Sequence, residues 1–214
     1  MTFRRYAIYY APRAGRFADF AASWLGWDPV SGREVAHPDL PLDVAAITAT
    51  PRKYGFHGTI KAPFVALPGL EDGLAELASR LSPVSLGALH LHRIGGFIAL
   101  TPGINPEPLA AEVVRALDRF RAPMTPEDRA RRKPEALSER QRELLDAWGY
   151  PYVMEEFRFH LTLTGNDAPA DVERVLEQVL APILPDPFVI EDLCLFGEAE
   201  DGRFHLVHRY ALTG

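Results

Sequence analysis

A single cysteine, Cys194, stands in 214 residues. That excludes an intramolecular disulfide framework and cysteine-built zinc sites, and it fits a reducing compartment. No run approaches the roughly 18 consecutive apolar residues of a membrane helix, so no membrane association is expected. The opening MTFRRYAIYYAPRAG lacks the apolar segment of a secretory signal, and a cytoplasmic location is expected on that ground. A basic excess is missing too: 23 Lys+Arg face 29 Asp+Glu, for a net charge of −6. Proteins that track nucleic-acid phosphates carry the opposite imbalance, so no stable nucleic-acid complex is expected. What is present is ordinary for a globular chain, 47% hydrophobic and 24% charged, which excludes collagen-like and disordered classes. No linker or low-complexity tract divides it, and its length suits one domain, 1–214, of two intimately packed lobes.

Strand-like and helix-like segments alternate. Tyr6–Tyr10 is aromatic and β-branched and predicts a strand. Phe17, Phe20, Ala21, Trp24 and Leu25 recur at helical spacing over 15–25. Glycine and proline make 26–43 a loop. Strands are expected at 54–62, 84–92 and 96–101, and helices at 70–81 and 106–121. A charged helical insertion is expected at about 124–149, with its helical stretch at 126–147. The last third repeats the theme with a strand at 153–164, a helix at 169–181 and a hairpin over 188–211 turning at Glu200-Asp201-Gly202. Hairpins among the alternating elements favour α+β, with helices packed on largely antiparallel sheet.

A weak internal repeat carries the chemistry. Phe56-His57-Gly58-Thr59-Ile60-Lys61-Ala62 aligns with Phe159-His160-Leu161-Thr162-Leu163-Thr164-Gly165, about half the chain away. Side chains in a strand alternate faces. His57, Thr59 and Lys61 would therefore share one polar face, and Arg158, His160, Thr162 and Thr164 another, each backed by apolar residues. Two such triplets are more than the composition makes expected, and the shared aromatic and aliphatic neighbours strengthen the match. Histidine titrates near neutrality, so one imidazole can accept a proton while the other, protonated, donates to a leaving oxygen. Threonine hydroxyls can donate to non-bridging phosphate oxygens, and Lys61 and Arg158 can offset charge building there. The plainer alternative is two half-buried strands with incidental polar residues.

His57-Gly58-Thr59-Ile60 and His160-Leu161-Thr162-Leu163 each resemble the H-x-T-hydrophobic signature of the two-histidine phosphoesterase superfamily, the LigT-like proteins. The wider strings Arg52–Phe64 and Phe157–Gly165, the Tyr6–Pro12 opening and Ile94–Leu100 are similar to one bacterial branch, described as phosphonate metabolism proteins and often encoded beside carbon–phosphorus lyase genes. The resemblance implies a bilobal, pseudo-two-fold α+β fold, with two antiparallel sheets forming a central groove and helices outside. It also implies metal-independent opening or formation of phosphodiesters, commonly 2′,3′-cyclic or 1″,2″-cyclic phosphates, with no cofactor. Carried over by residue, His57 and His160 become the acid/base pair and Thr59 and Thr162 the phosphate-binding hydroxyls; which histidine is acid stays open. A ribose cyclic phosphate from phosphonate breakdown is the attractive substrate by analogy.

Arg129-Ala130-Arg131-Arg132-Lys133 lies in the insertion. Arg129 or Arg132 would contact a second phosphate if the segment is an arm; otherwise it is a solvated face balanced by Glu127, Glu135, Glu139 and Glu143. Tyr6, Tyr54 and Tyr152 are candidates to flank a ribose or base, and Arg52 and Lys53 to steer phosphate at a groove mouth. His90 with His92, and His205 with His208, lack the third ligand a zinc site needs, so no metal site is expected. The expected protein is a monomeric phosphoric diester hydrolase taking a small nucleotide- or ribose-phosphate-like substrate. Its rival is a module that binds a phosphorylated metabolite or RNA end without turnover, and a metal hydrolase is the third possibility.

Overall fold

The aromatic and β-branched run Arg5–Tyr10 forms the first strand, β1, in the computed structural model, which describes residues 2–214. Helix α1 (Arg16–Leu25), a small hairpin of β2 (Trp27–Asp28) and β3 (Arg33–Glu34), a single helical turn α2 (Val44–Ile47) and strand β4 (Gly58–Phe64) follow. Then come α3 (Leu70–Arg80), β5 (Val84–Ser85), β6 (Leu89–Ile94), β7 (Phe97–Pro102) and α4 (Glu107–Leu117). The charged segment supplies α5 (Pro126–Arg131) and α6 (Glu139–Trp148). The chain continues through β8 (Leu161–Thr162), α7 (Asp171–Leu180), β9 (Val189–Ile190), β10 (Asp192–Glu198) and β11 (Phe204–Ala211). No helix among the described residues is long and apolar enough to cross a membrane.

Seven strands form an antiparallel sheet in the order β11-β10-β1-β4-β8-β7-β6. It is built of two halves, β11-β10-β1-β4 and β8-β7-β6, so the two sheets of the bilobal α+β fold run on into one another. They join at a single point, Gly58 opposite Leu161. Continuing that antiparallel register sets Thr59 across from His160, and His57 across from Thr162. The two copies of the repeat are thus related by a local two-fold axis through the Gly58–Leu161 pair.

The helices cover one face. Ile8 and Tyr10 of β1 point toward them, into a core closed by Trp24 and Leu25 of α1, Leu74 and Leu77 of α3, Val113 and Leu117 of α4 and Leu176 and Leu180 of α7. Each large aliphatic group buried there stabilises the fold by about 1.5–3 kcal/mol relative to exposure. Ala7 and Tyr9 point the other way, into a smaller cluster with Cys194, Phe196 and Phe204. The side of the sheet opposite this core remains open near the join, and that is where the cavity lies.

The charged segment breaks where one helix is expected over 126–147. Arg132 ends α5, Lys133 adopts a left-handed conformation (φ 49°), and Pro134, lacking an N–H donor, cannot extend the helix. A capping box of Ser138 and Gln141 starts α6, a device that contributes about 0.5–2 kcal/mol. The segment is also anchored. Leu144 packs with Ala111 and Val114 on the second face of α4, beside Val153 and Met154, and Arg129 clasps Asp146 at 2.7 Å to tie α5 to α6.

Gly58 permits the join. A Cβ there would meet Phe159 Cζ at 2.2 Å and Leu161 Cδ2 at 3.0 Å. We expect Gly58→Ala to destabilise the protein by about 1–3 kcal/mol, the usual cost of overpacking a close contact. Urea unfolding measures it, and a midpoint equal to that of the wild type would show that the join has slack.

Candidate active site

A cavity of about 360 Å³ opens where the half-sheets meet, lined by His57 and Thr59 from one half and His160 and Thr162 from the other. Neither histidine sits mid-strand as the alternation predicts. The strand expected over 54–62 begins at Gly58, after a 3₁₀ turn at Arg52–Tyr54 and a left-handed Gly55 (φ 67°). The one expected over 153–164 is reduced to Leu161–Thr162. Each histidine is therefore the last residue before its strand, and both rings are held the same way. His57 Nδ1 lies 2.9 Å from Gly55 O, and His160 Nδ1 lies 2.9 Å from Arg158 O. A carbonyl only accepts, so Nδ1 carries the proton in both neutral rings and Nε2 is left for chemistry.

The surroundings differ. His57 stacks on Tyr9 with ring centroids 4.0 Å apart and planes 29° from parallel, and Tyr54 lies 5.7 Å away. Burial among these rings drives its pKa down to about 4; the Gly55 carbonyl opposes the shift, and the neighbouring charge of His160 adds to it. His57 is thus neutral at pH 7. His160 has only Phe97 at 5.6 Å, in a tilted arrangement. The second motif is positioned by groups outside it: Asn105 donates to Phe157 O and accepts from Phe159 N, and Trp24 Nε1 donates to Leu163 O at 2.7 Å. Thr164 accepts from Ile98 N and donates to Gly165 O, so its hydroxyl is spent on the backbone.

Of the residues singled out from sequence, the structure brings His57, His160, Thr59, Thr162, Tyr54 and Arg132 to this cavity. Lys61, Arg158 and Arg129 lie elsewhere. Lys61, expected beside Thr59, is buried (4% exposed), its ammonium 3.6 Å from Asp118 and 5.1 Å from the centre of the Phe64 ring. The cause is a β-bulge. Tyr9 pairs with Thr59 but Ile8 pairs with Lys61, so Ile60 is an extra residue and the alternation reverses across it. Lys61 then shares the helix side with Ile8, while Thr59 shares the open side with Tyr9. Arg158 turns back on its own loop and donates to Glu155 O and Phe157 O. Arg129 is engaged by Asp146.

Arg52 is likewise structural, donating to Leu25 O and Ala45 O, and the Lys53 ammonium sits 4.9 Å over the Tyr54 ring. Tyr6 and Tyr152 do not line the cavity; Tyr9 and Tyr150 do, with Arg5, Thr50 and Asn166. The alternation of β1, which places Arg5, Ala7 and Tyr9 on one face, was the available signal for Arg5 and Tyr9. Nothing local marks Tyr150, Thr50 or Asn166. His90 and His92 stack at 6.3 Å, and His92 Nδ1 meets the Thr101 hydroxyl at 2.6 Å. Among the described residues no three His, Cys, Asp or Glu side chains are grouped as a metal site requires.

These features define an α+β protein whose two half-sheets place a histidine–threonine pair each in one cavity. The chain belongs to the family described as "Protein of unknown function (DUF1045)", whose model matches residues 59–205. It is 32% identical over 218 residues to "Ribose 1,5-bisphosphate phosphokinase PhnN" of Janthinobacterium sp. (strain Marseille), covering 92% of this chain and 48% of that protein. It is 35% identical over 212 residues to a protein of the same name from Laribacter hongkongensis (strain HLHK9), covering 92% and 49%. The chain thus spans about half the length of these curated relatives. Among solved structures it is similar to E. coli LigT complexed with NADP+, at 14% identity and a TM-score of 0.49 over 100% of both chains. A structure described as a phosphoesterase gives 14% and 0.46, again over 100% of both chains.

The placement of Lys61 has a measurable consequence. Burial, opposed by Asp118, lowers its pKa from 10.5 to about 8. Folding therefore disfavours the protonated form, and the penalty is full below pH 8 and relieved as pH rises from 8 toward 10.5. Lys61→Met should be at least as stable as wild type at pH 7, because Asp118 keeps Arg121 at 2.7 Å. Its advantage should shrink at pH 10, in urea melts of both proteins. A variant markedly less stable than wild type at pH 7 would mean that the ammonium is a net structural asset.

Proposed function

We propose that the protein is a phosphoesterase that opens a small cyclic phosphodiester by general acid/base catalysis, with His57 as base and His160 as acid. The observation that carries this reading is the pair of imidazoles, each with Nε2 free, a hydroxyl beside each, lining one cavity. His57 Nε2 takes a proton from water as the water oxygen attacks phosphorus. The bond from phosphorus to one ring ester oxygen breaks, and His160, entering protonated, delivers its Nε2 proton to that oxygen. One P–O bond forms and one breaks, and the proton taken at His57 restores the pair after exchange with solvent. Thr59 and Thr162 donate to the non-bridging oxygens, where negative charge accumulates.

The assignment of base to His57 follows from its enclosure by Tyr9 and Tyr54, which favours the neutral ring. The curated relatives, twice as long, are named for a kinase of ribose 1,5-bisphosphate. A cyclic phosphate of ribose 5-phosphate, closed between O1 and the adjacent hydroxyl, would yield that bisphosphate on opening at the hydroxyl side. That makes it the candidate substrate and supports a place in phosphonate breakdown.

The test is a panel of cyclic phosphodiesters followed by phosphorus NMR. New monoester resonances are expected, with His57→Ala and His160→Ala each lowering turnover about 10²-fold or more. The acid limb of kcat/KM should have its midpoint near pH 4: activity rises with pH through the pKa of His57, because a protonated base cannot act. Tight binding of a panel member with no new resonance would identify a binding module instead. An acid limb that vanishes in His160→Ala rather than His57→Ala would reverse the roles.

A further inference from the structure

The histidine cavity is not closed at its Arg5 end. Arg5, Pro63 and Arg132 line it and also line an adjoining chamber of about 250 Å³, so the two share a wall that carries two arginines. Arg121 and Arg131 complete the cationic lining of that chamber, and Asp128 is its one acid. Three of the four arginines are compensated: Arg5 by Glu198 at 2.5 Å, Arg121 by Asp118 at 2.7 Å and Arg131 by Asp128 at 3.2 Å. Arg132 has no carboxylate within salt-bridge distance among the described residues. Its guanidinium lies over the Tyr150 ring, 5.0 Å from the centroid. A guanidinium held against a ring face keeps its plane fixed and its N–H edge available, the geometry that receives two oxygens of a phosphate. An uncompensated cation in a walled recess also attracts anions from solution.

We propose that this chamber is a second phosphate subsite, in which Arg132, with Arg5 beside it, binds a phosphate monoester carried on the far end of the same small substrate. The proposal rests on the phosphoesterase reading for the identity of the first site and adds what selects the substrate. It gives the charged insertion a task. Arg132 is the residue at which α5 ends, Tyr150 follows α6, and the packing of Leu144 on α4 with the Arg129–Asp146 clasp fixes both relative to the sheet. Arg129 is therefore a positioning residue for the arm, and Arg132 is its contact.

The discriminating experiment compares two cyclic phosphodiesters of one sugar, one with a phosphate monoester at the far end and one with a free hydroxyl there. Wild type should favour the phosphorylated compound by roughly 10²-fold in kcat/KM. Arg132→Gln should lower kcat/KM on that compound at least tenfold more than on the other, chiefly through KM, with partial rescue by Arg132→Lys. Equal losses on both compounds, or a wild type indifferent to the second phosphate, would overturn the subsite. If neither compound is turned over, the phosphoesterase reading fails by itself and calorimetry decides the subsite. Binding of the phosphorylated compound that weakens at least tenfold in Arg132→Gln supports it, and binding that does not weaken refutes it. A circular dichroism melt matching wild type confirms that the variant is folded.

Discussion

Everything in the site hangs on one close approach, the ring of Phe159 lying where a side chain on Gly58 would be. That contact lets β4 and β8 pair through a single residue position and converts two half-sheets into one. Because the pairing is antiparallel and centred on the repeat, it brings each histidine level with the other copy's threonine. Two segments half a chain apart are thereby delivered to one 360 Å³ cavity without any direct bond between their functional side chains.

The two-fold relation stops at the backbone. Around His57 the chain has built a wall of aromatic rings from β1 and the turn before β4, and the cluster of Ala7, Tyr9, Cys194, Phe196 and Phe204 holds that wall from behind. The other half-sheet offers His160 a single phenyl ring. Two equivalent imidazoles would compete for the same proton. Enclosure lowers the proton affinity of His57, the direction that keeps an imidazole neutral and able to accept a proton.

Much of this was legible in the residues. Aromatic and aliphatic alternation around the two H-x-T triplets predicted the face His57 and Thr59 share, and the helical spacing at Phe17–Leu25 matched α1. What escaped was set by longer-range events. The bulge at Ile60 depends on how β1 pairs with β4, so no property of the heptapeptide reveals that Lys61 will turn inward. The run Phe157–His160 alternates as a strand should, yet Asn105 supplies the hydrogen bonds a neighbouring strand would have made, and only Leu161–Thr162 joins the sheet. The charged insertion reads as a solvated face by composition. Its anchoring by Leu144 and the seat of Arg132 over Tyr150 emerge only when α4, α5 and α6 are seen together.

Both imidazoles are oriented by main-chain carbonyls two residues upstream, Gly55 and Arg158, not by the carboxylate side chains that often serve this purpose. A carboxylate orienter can be lost in one mutational step, leaving a ring that flips or changes tautomer. A carbonyl belongs to every residue type, so the carbonyl at position 158 survives a change of side chain; at position 55 the positive φ and the Pro29 ring, 2.6 Å from where a Cβ would stand, hold the residue to glycine. Ring orientation at both positions is therefore tied to loop shape, and an insertion or deletion in either turn should disturb it more than a change of side chain at position 158.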